Sequence, residues 1–349
     1  NSQDELLILD RDTDLIQKFR LTEFGELVHK ANGLTLEGRY DEAKPYWEQV
    51  LQLNAYYTPA VLGIAQAEYR NENFAVAKDL FLEAGHQQGY SDSFWQMRLF
   101  WFQRNFGLFM NILIFGSIAI FLFKRIAKRM GWSLKLKPEW RIKHPLWLQL
   151  KHASYILKHP IDGFTALRYE NKGSYISSII ILVAAYVSLV VYRMFTNFTF
   201  NMGAIQQVNI FTILLQFLVI WFGWVICNYL VSSIMRGEAR FKDVFMGAAY
   251  AMTPLIVIGV PLTIVSQGMT LSESAIFNFI YNGMIIWIVL LIFWKVQNLQ
   301  NYSVGETVLN IFLTVVTMVL LGVLLFILYG LFADLRDFIY AIILEVSVR

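Results

Sequence analysis

Few residues in this chain have the types and spacing that chemistry requires. His144, His152 and His159 recur at intervals of eight and seven residues, so they lie near one face of a helix. No carboxylate stands between them, and zinc sites usually need a fuller set of ligands, so we expect no metal here. Cys227 is the single cysteine, which excludes a disulfide within the chain and a cysteine-based metal site.

Motifs for catalysis are also missing from the sequence. It contains no phosphate-binding glycine loop, no nucleophile elbow and no His-Glu-x-x-His helix, and each of these would mark a reaction class. We find no plausible pair of catalytic carboxylates either. We therefore predict a protein that is not an enzyme and that uses no cofactor.

The charges are divided unevenly along the 349 residues. Residues 1–104 hold 16 acids and 10 bases, whereas residues 105–349 hold 10 acids and 19 bases. The excess of bases follows apolar segments, which is typical of membrane topology and not of nucleic-acid binding. We expect no nucleic-acid partner.

Residues 173–335 consist of long apolar segments separated by short polar breaks, and 56% of the chain is apolar. Each segment is close to the roughly 20 residues that cross a hydrocarbon core, and only helices satisfy their own backbone there without barrel closure. Phe106–Phe123 is a sixth, slightly short span. The five later spans are predicted at Ser174–Tyr192, Asn209–Ser232, Phe245–Ser266, Ala275–Trp294 and Val308–Ala333.

The connector between the first two spans is strongly basic, with twelve bases against three acids between Lys124 and Lys172. The positive-inside rule places it in the cytoplasm, and therefore residues 1–104 and the C-terminus outside. Pro145–Lys158 mixes apolar and basic residues, which favours a helix in the headgroup layer. Either plain topology or anionic lipid explains the candidate headgroup and topology residues, Lys124, Arg125, Lys128, Arg129, Lys143, Lys151 and Lys158.

The spans themselves are almost free of ionisable residues, because Arg193 and Lys295 are placed at span ends. Ion-coupled transporters normally need an acid or base inside the membrane, so this argues against secondary transport. Pro254 and Pro261 fall in one span and predict a kink, which is either a hinge or ordinary packing. The intramembrane amides available for hydrogen bonds between helices are Asn228, Asn278, Asn282 and Asn310.

A repeat of 34 residues relates Leu27–Leu51 to Val61–Gly85. Small residues at matched positions allow close helix approach, and aromatic residues fill the gaps between helices. This period and pattern resemble tetratricopeptide repeats, which form helical stacks that bind partners. Helices are predicted at Glu23–Leu36, Tyr40–Leu53, Pro59–Arg70 and Phe74–Ala84, with a capping helix from Ser91. The predicted packing residues are Ala31, Tyr40, Ala43, Trp47, Ala65, Phe74, Ala77 and Phe81.

Residues 6–20, LLILDRDTDLIQKFR, read as two short strands around an Asp-rich turn or as an extended leader. They resemble the closing hairpin of an NHL propeller blade, which implies a propeller before residue 1. The chain begins with Asn and shows no signal peptide, so we expect a processed or truncated form.

Two segments of the five-span region resemble the Yip (Ypt-interacting protein) domain family. They are HPIDGFTALRYENKGSY at 159–175 and RGEARFKDVFMGAAYAMTPLIV at 236–257, and the five-span count agrees. Eukaryotic members act in vesicle traffic with small GTPases through a cytoplasmic N-terminal region. Here the extra first span places that region outside, which puts a GTPase role in doubt.

The sequence thus predicts an all-α, polytopic membrane protein with six spans, the last five Yip-like, and a small extracytoplasmic tetratricopeptide-like domain. Bacterial proteins that resemble this combination go with carbohydrate ABC importers. We therefore expect a scaffold or accessory subunit of a bacterial plasma membrane importer, with permease subunits as partners and anionic lipid as a second ligand. The alternatives are a stand-alone transporter or channel, and a lipid-organising or trafficking factor. The predicted domains are 1–20 (hairpin or leader), 21–104 (repeats), 105–124 (first span), 125–172 (basic connector), 173–335 (five-span domain) and 336–349 (amphipathic helix).

Overall fold

The computed structural model describes residues 6–10, 15–129, 144–201 and 209–347, with side chains over 18–129, 144–201 and 209–340 and at residue 16. The all-α prediction is confirmed, since six helices among these residues are long and apolar enough to cross a membrane. The predicted headgroup residue Lys143 lies outside the described residues. The chain divides into a first unit of residues 1–138, 197–203 and 266–275, and a second unit made of the rest.

The first unit begins with a two-stranded antiparallel hairpin, β1 and β2, in which Leu6 pairs with Phe19 and Asp10 with Leu15. Five helices follow, and each packs on the next; we call α1–α4 the helical stack. Their bounds are β1 Leu6–Asp10, β2 Leu15–Phe19, α1 Glu23–Leu36, α2 Tyr40–Leu53, α3 Thr58–Arg70, α4 Phe74–Glu83 and α5 Gln87–Arg129.

Local chemistry explains where the stack helices begin and end. The Thr22 side chain accepts a hydrogen bond from the Gly25 amide and caps α1, which supplies a partner for an otherwise orphaned donor. Gly38 follows α1 with φ of +77°, and Glu72 follows α3 with φ of +62°. These two positions are 34 residues apart, so the same left-handed turn recurs with different residues.

The core of the stack is built from small and aromatic side chains. Trp47 is 3% exposed and Phe81 is 4% exposed, and each packs against a glycine of the following helix, Gly63 or Gly89. A Cβ on Gly63 would overlap the Trp47 indole, so the close approach requires glycine there. Of the predicted packing residues, Ala31, Ala43, Trp47, Ala65, Ala77 and Phe81 are buried, whereas Tyr40 and Phe74 are partly exposed.

Helix α5 differs from the prediction of a separate capping helix and span. It is one helix of 43 residues from the stack through the first apolar segment. The physical reason is that no helix-breaking residue stands between Ser91 and Arg129, since Gly107 and Gly116 only weaken a helix.

The second unit contains two connector helices and the remaining spans. Its core is formed by α6, α7, α8, α9, α10 and α12, with Ile156, Phe164, Leu167 and Tyr250 among its most buried side chains. The bounds are α6 Pro145–Lys158, α7 Pro160–Tyr169, α8 Tyr175–Phe195, α9 Ile210–Ile234, α10 Phe241–Ala251, α11 Val260–Ser266, α12 Ser274–Gln300 and α13 Val304–Ser347.

Two of these elements depart from a simple span. The chain between α10 and α11 is π-helical at Leu255–Gly259, directly after Pro254. Helix α13 runs for 44 residues without the predicted separation between a span and a C-terminal helix at residue 336, because no Gly or Pro interrupts residues 331–347.

Candidate functional site

The second unit, which we call the membrane unit, contains a cluster of polar side chains between three helices, α9, α12 and α13. Lys295 of α12 is 1% exposed, and its Nζ donates to Asn228 Oδ1 of α9 at 2.8 Å. Asn228 Nδ2 in turn donates to Asn310 Oδ1 of α13 at 2.8 Å. Asn310 Nδ2 donates to Ser232 Oγ at 3.1 Å. We call Lys295, Asn228, Ser232, Asn310 and Thr314 the buried polar cluster.

Helical spacing brings these groups to a single place. Asn228 and Ser232 are four residues apart on α9, and Asn310 and Thr314 are four residues apart on α13, so each pair shares a helix face. Thr314 Oγ1 donates to the Asn310 carbonyl at 2.7 Å. The cluster therefore satisfies its own hydrogen bonds in a setting where no water supplies partners.

Lys295 is the unusual member because it is a fully buried amine on a candidate membrane span. Burying a charged amine is costly unless it is paired and hydrogen-bonded, and among the described residues no carboxylate forms an ion pair with Lys295. Its partner is instead the neutral amide oxygen of Asn228. Such a group can hold a proton or an anion, although here it is closed off from solvent.

The sequence analysis placed Lys295 at a span end, and the structure adds that its side chain is buried among helices there. Helix α12 continues five residues further, to Gln300, and those residues bury the lysine. Gly247 of α10 gives room for its stem, since a Cβ there would lie 2.8 Å from Lys295 Cγ. The signal in the sequence was the polar but uninterrupted run VQNLQ after Lys295, which continues the helix.

The other predicted amides divide into two groups. Asn228 and Asn310 form a hydrogen bond that joins α9 to α13. In contrast, the side chains of Asn278 and Asn282 on α12 are exposed at the surface of the membrane unit. Periodicity distinguishes them only weakly, because all four stand in apolar runs.

An apolar cavity of about 380 Å³ lies beside the break that follows Pro254. Trp221, Trp224, Met252 and Leu255 contribute to its wall, and Arg193 and Gln216 are its polar members. Pro261 lies in α11, beyond the π-helical turn. A π-helical segment is a usual cause of helix bending. The cavity lies next to this segment and leaves room for it to bend.

The connector helices pack directly onto the spans. Arg168 Nη1 of α7 donates to the Leu299 carbonyl at 2.6 Å, and the Tyr250 hydroxyl of α10 donates to the Gln149 carbonyl of α6 at 3.1 Å. His152 Nε2 lies 2.9 Å from the Gly163 carbonyl. Burial lowers the pKa of His152, so the ring is neutral near pH 7. Of the three regularly spaced histidines, His152 therefore has a packing role, since its ring joins α6 to α7.

The first unit has its own polar site, where α5 meets the segments 197–201 and 266–275. Arg98 forms two hydrogen bonds with the Glu273 carboxylate, at 2.9 and 3.0 Å, and another with the Gly268 carbonyl at 2.7 Å. Ser91 Oγ accepts from the Leu271 amide at 2.7 Å. A bidentate arginine–carboxylate pair of this kind fixes the relative orientation of the two side chains as well as balancing their charges.

The predicted basic residues lie in two helices. Lys124, Arg125, Lys128 and Arg129 end α5, and Lys151 and Lys158 lie on α6. All six are exposed. Within the described residues, no group of three or more metal-ligating side chains comes together.

The Yip1 domain family model matches residues 154–333, a little more than half of the chain. No curated protein matches the sequence, and no solved structure matches it. The matched residues start within α6 and extend to α13, and they include the whole buried polar cluster. This chain is therefore a member of the Yip1 domain family.

Proposed function

We propose that this protein is a non-enzymatic membrane scaffold that holds a partner protein on its helical stack. The observation that supports this most is the continuity of α5. This helix packs on α4 and then supplies the first span, whose most apolar window has no buried residue. An uninterrupted helix connects the binding surface rigidly to the first span. The exposed apolar side chains of that span can contact lipid or another membrane helix.

The resemblance of the stack to tetratricopeptide repeats supports the same function. Trp47 and Phe81 occupy equivalent buried positions in the two helix pairs, and stacks of this type usually present a surface for a peptide or partner helix. The hairpin β1–β2 is a remnant of an NHL propeller in this proposal.

We place the stack outside a bacterial plasma membrane. The basic residues at the end of α5 and in α6 favour the cytoplasm for the connector, and α5 then carries the stack to the opposite side. With that orientation, the partner we propose is the permease assembly of a carbohydrate ABC importer.

Copurification tests the proposal. The full chain would be affinity-purified from its own cells in a mild detergent, and the retained proteins would be identified by mass spectrometry. We expect permease subunits at a near-equal molar ratio. A monomeric preparation without any transport subunit would contradict the accessory role.

Cysteine labelling tests the orientation separately. Cys227 is fully buried, so the background is low. Tyr56 in the stack is 95% exposed and Trp147 in α6 is 52% exposed. We expect a membrane-impermeant maleimide to label Tyr56→Cys but not Trp147→Cys in intact cells, and the reverse pattern would overturn the orientation.

A second function, transport by the chain itself, is favoured by Lys295. An amine buried within the spans is a feature of proton and anion pathways. Liposomes that contain the purified chain would then carry an anionic solute, and Lys295→Met would abolish the flux while Lys124→Met at the end of α5 would not. Equal flux in the two variants would rule out a pathway through the cluster.

A further inference from the structure

An open pocket of about 650 Å³ lies between α6 and the segment that follows α7. Its wall includes Lys151 and Lys158 of α6, and Asn171 and Lys172 of the following segment. Residues 151 and 158 are seven apart, so the two lysines lie on one helix face two turns apart. Asn171 has φ of +51°, and this left-handed turn directly precedes Lys172.

The pocket is held in place by buried contacts. His152, which is 7% exposed, bonds to the Gly163 carbonyl of α7, and a Cβ on Gly163 would lie 2.6 Å from Ile156 Cγ1 of α6. Gln149 Oε1 accepts from Ser174 Oγ at 2.7 Å, which connects α6 to the start of α8. The lysines therefore extend from a fixed backbone frame.

The charges around the pocket favour an anion. Three ammonium groups line it, and within the described residues the carboxylate that pairs with one of them is Glu170, which lies 2.6 Å from Lys172 Nζ. His152 adds no charge near pH 7, because burial lowers its pKa. A phosphate group matches the remaining positive charge, and lysine is a common phosphate ligand.

The same helix surface also carries apolar side chains. Leu148 is 57% exposed and Tyr155 is 43% exposed, and both line the pocket. Trp147 beside them is 52% exposed. Exposed aromatic and aliphatic groups among lysines are typical of helices that lie in the headgroup layer, so the anion is expected to have acyl chains attached.

We infer that this pocket binds the phosphate headgroup of an anionic glycerophospholipid through Lys151, Lys158 and Lys172. Leu148 and Tyr155 contact the upper part of the lipid. This site is independent of the partner protein proposed above, and it concerns the connector and not the stack.

Lysine acetylation of the full chain in lipid nanodiscs tests the inference. Discs of phosphatidylcholine alone would be compared with discs that also contain phosphatidylglycerol, and acetylation of each lysine would be followed by mass spectrometry. We expect phosphatidylglycerol to slow the acetylation of the three pocket lysines by about tenfold or more, as roughly additive lysine contributions imply. Lys124 and Lys128 of α5, which belong to a basic cluster outside the pocket, report diffuse attraction to the anionic surface, and the pocket lysines should be slowed at least about fivefold more than these two.

Two further arms distinguish a bound lipid from a soluble anion and from diffuse charge attraction. Glycerol phosphate added to phosphatidylcholine discs should not protect the lysines, and equal protection would show a site for soluble anions and overturn the lipid assignment. Native mass spectrometry of K151Q/K158Q/K172Q should show loss of retained phosphatidylglycerol, whereas the matched triple variant K124Q/R125Q/K128Q retains it. Equal loss in both variants would mean diffuse attraction and would overturn the pocket, as would unchanged retention.

Discussion

Lys44 in the helical stack and Lys295 in the membrane unit show how differently the two regions treat the same side chain. Lys44 lies 2.6 Å from the Glu68 carboxylate, and its side chain remains 32% exposed. Lys295 is 1% exposed and donates to an amide. In the stack, water shares the solvation of the ion pair, whereas in the membrane unit the protein must supply all of it.

The same contrast extends to the packing. The stack buries mainly alanines and aromatic rings, and its buried carboxylate Glu68 pairs with the partly exposed Lys44. The membrane unit exposes Phe, Ile and Leu over its surface and encloses Asn, Ser, Thr and Lys. Hydrophobic burial therefore stabilises the stack, while internal hydrogen bonds decide which arrangement of spans is possible, since lipid offers little hydrophobic drive between helices.

The largest effect is expected in the stack. Trp47→Ala removes an indole that is 3% exposed and that donates to Thr35 Oγ1 at 3.0 Å. We expect a loss of about 3–5 kcal/mol, as for large-to-small changes in a water-soluble core. Thermal unfolding by circular dichroism in one detergent measures it, with Tyr56→Ala as the exposed control. If Trp47→Ala melted like the control, burial would not be what stabilises the stack.

A somewhat smaller effect is expected from the buried polar cluster. Asn228→Leu leaves Lys295 without its acceptor, and the loss of a hydrogen bond to a charged group costs about 1.5–3 kcal/mol. The double variant Asn228→Leu/Lys295→Met removes the donor as well and should regain the part of the loss that comes from the ammonium group, since Asn310 Oδ1 loses the Asn228 amide in both variants. Thermal midpoints of the three chains give this comparison. A double variant that is less stable than Asn228→Leu would show that the lysine stabilises the spans by another contact.

Close packing around Lys295 provides the next test. A Cβ on Gly247 would lie 2.6 Å from Leu299 Cδ1 and 2.8 Å from Lys295 Cγ. Because both are side-chain atoms that can shift, Gly247→Ala should cost about 1–2 kcal/mol. Gly283 of α12 has open space at its Cβ, so Gly283→Ala should be neutral or stabilising by about 1 kcal/mol. Equal thermal midpoints for the two variants would mean that the lysine stem is not tightly packed.

Helix starts were largely predictable from the sequence because they depend on local side chains. Helices α1 and α2 have the predicted bounds, Glu23–Leu36 and Tyr40–Leu53. Ser174 and Asn209 cap α8 and α9 within one residue of the predicted starts. A hydroxyl or amide that bonds the first turn acts over three residues, so the sequence alone contains the information.

Helix ends in the membrane unit were less predictable. The apolar run of α12 ends at Trp294, but the helix continues to Gln300, because a helix stops at a cap and not where hydrocarbon ends. For the same reason the sequence did not indicate that Lys295, which directly follows the apolar run, is buried. The pairing of Asn228 with Asn310 joins residues 82 apart, and no local pattern in either span indicates which amide faces which.

The turn after α3 shows a limit of the repeat pattern. Glu72 stands where Gly38 stands one repeat earlier, and both have positive φ. The structure shows that the backbone keeps the turn despite the strain that a side chain adds in this conformation.

The smallest effect is expected for the ion pair of the stack. The Lys44 ammonium, and then the Asn73 amide, hold the pKa of Glu68 below its usual value. A carboxyl group with a lowered folded pKa contributes stability above its unfolded pKa, near 4.5, and loses it as pH falls through the folded pKa. Glu68→Gln should therefore cost about 1 kcal/mol at pH 7, and this difference should vanish at acidic pH. Thermal midpoints of both chains from pH 7 down to pH 3 measure the convergence, with Glu48→Gln, whose carboxylate lies 4.0 Å from Lys44, as the weaker matched change. A difference that stayed constant with pH would mean that packing, and not charge, makes Glu68 favourable, and the contrast between the two lysines would then be one of burial alone.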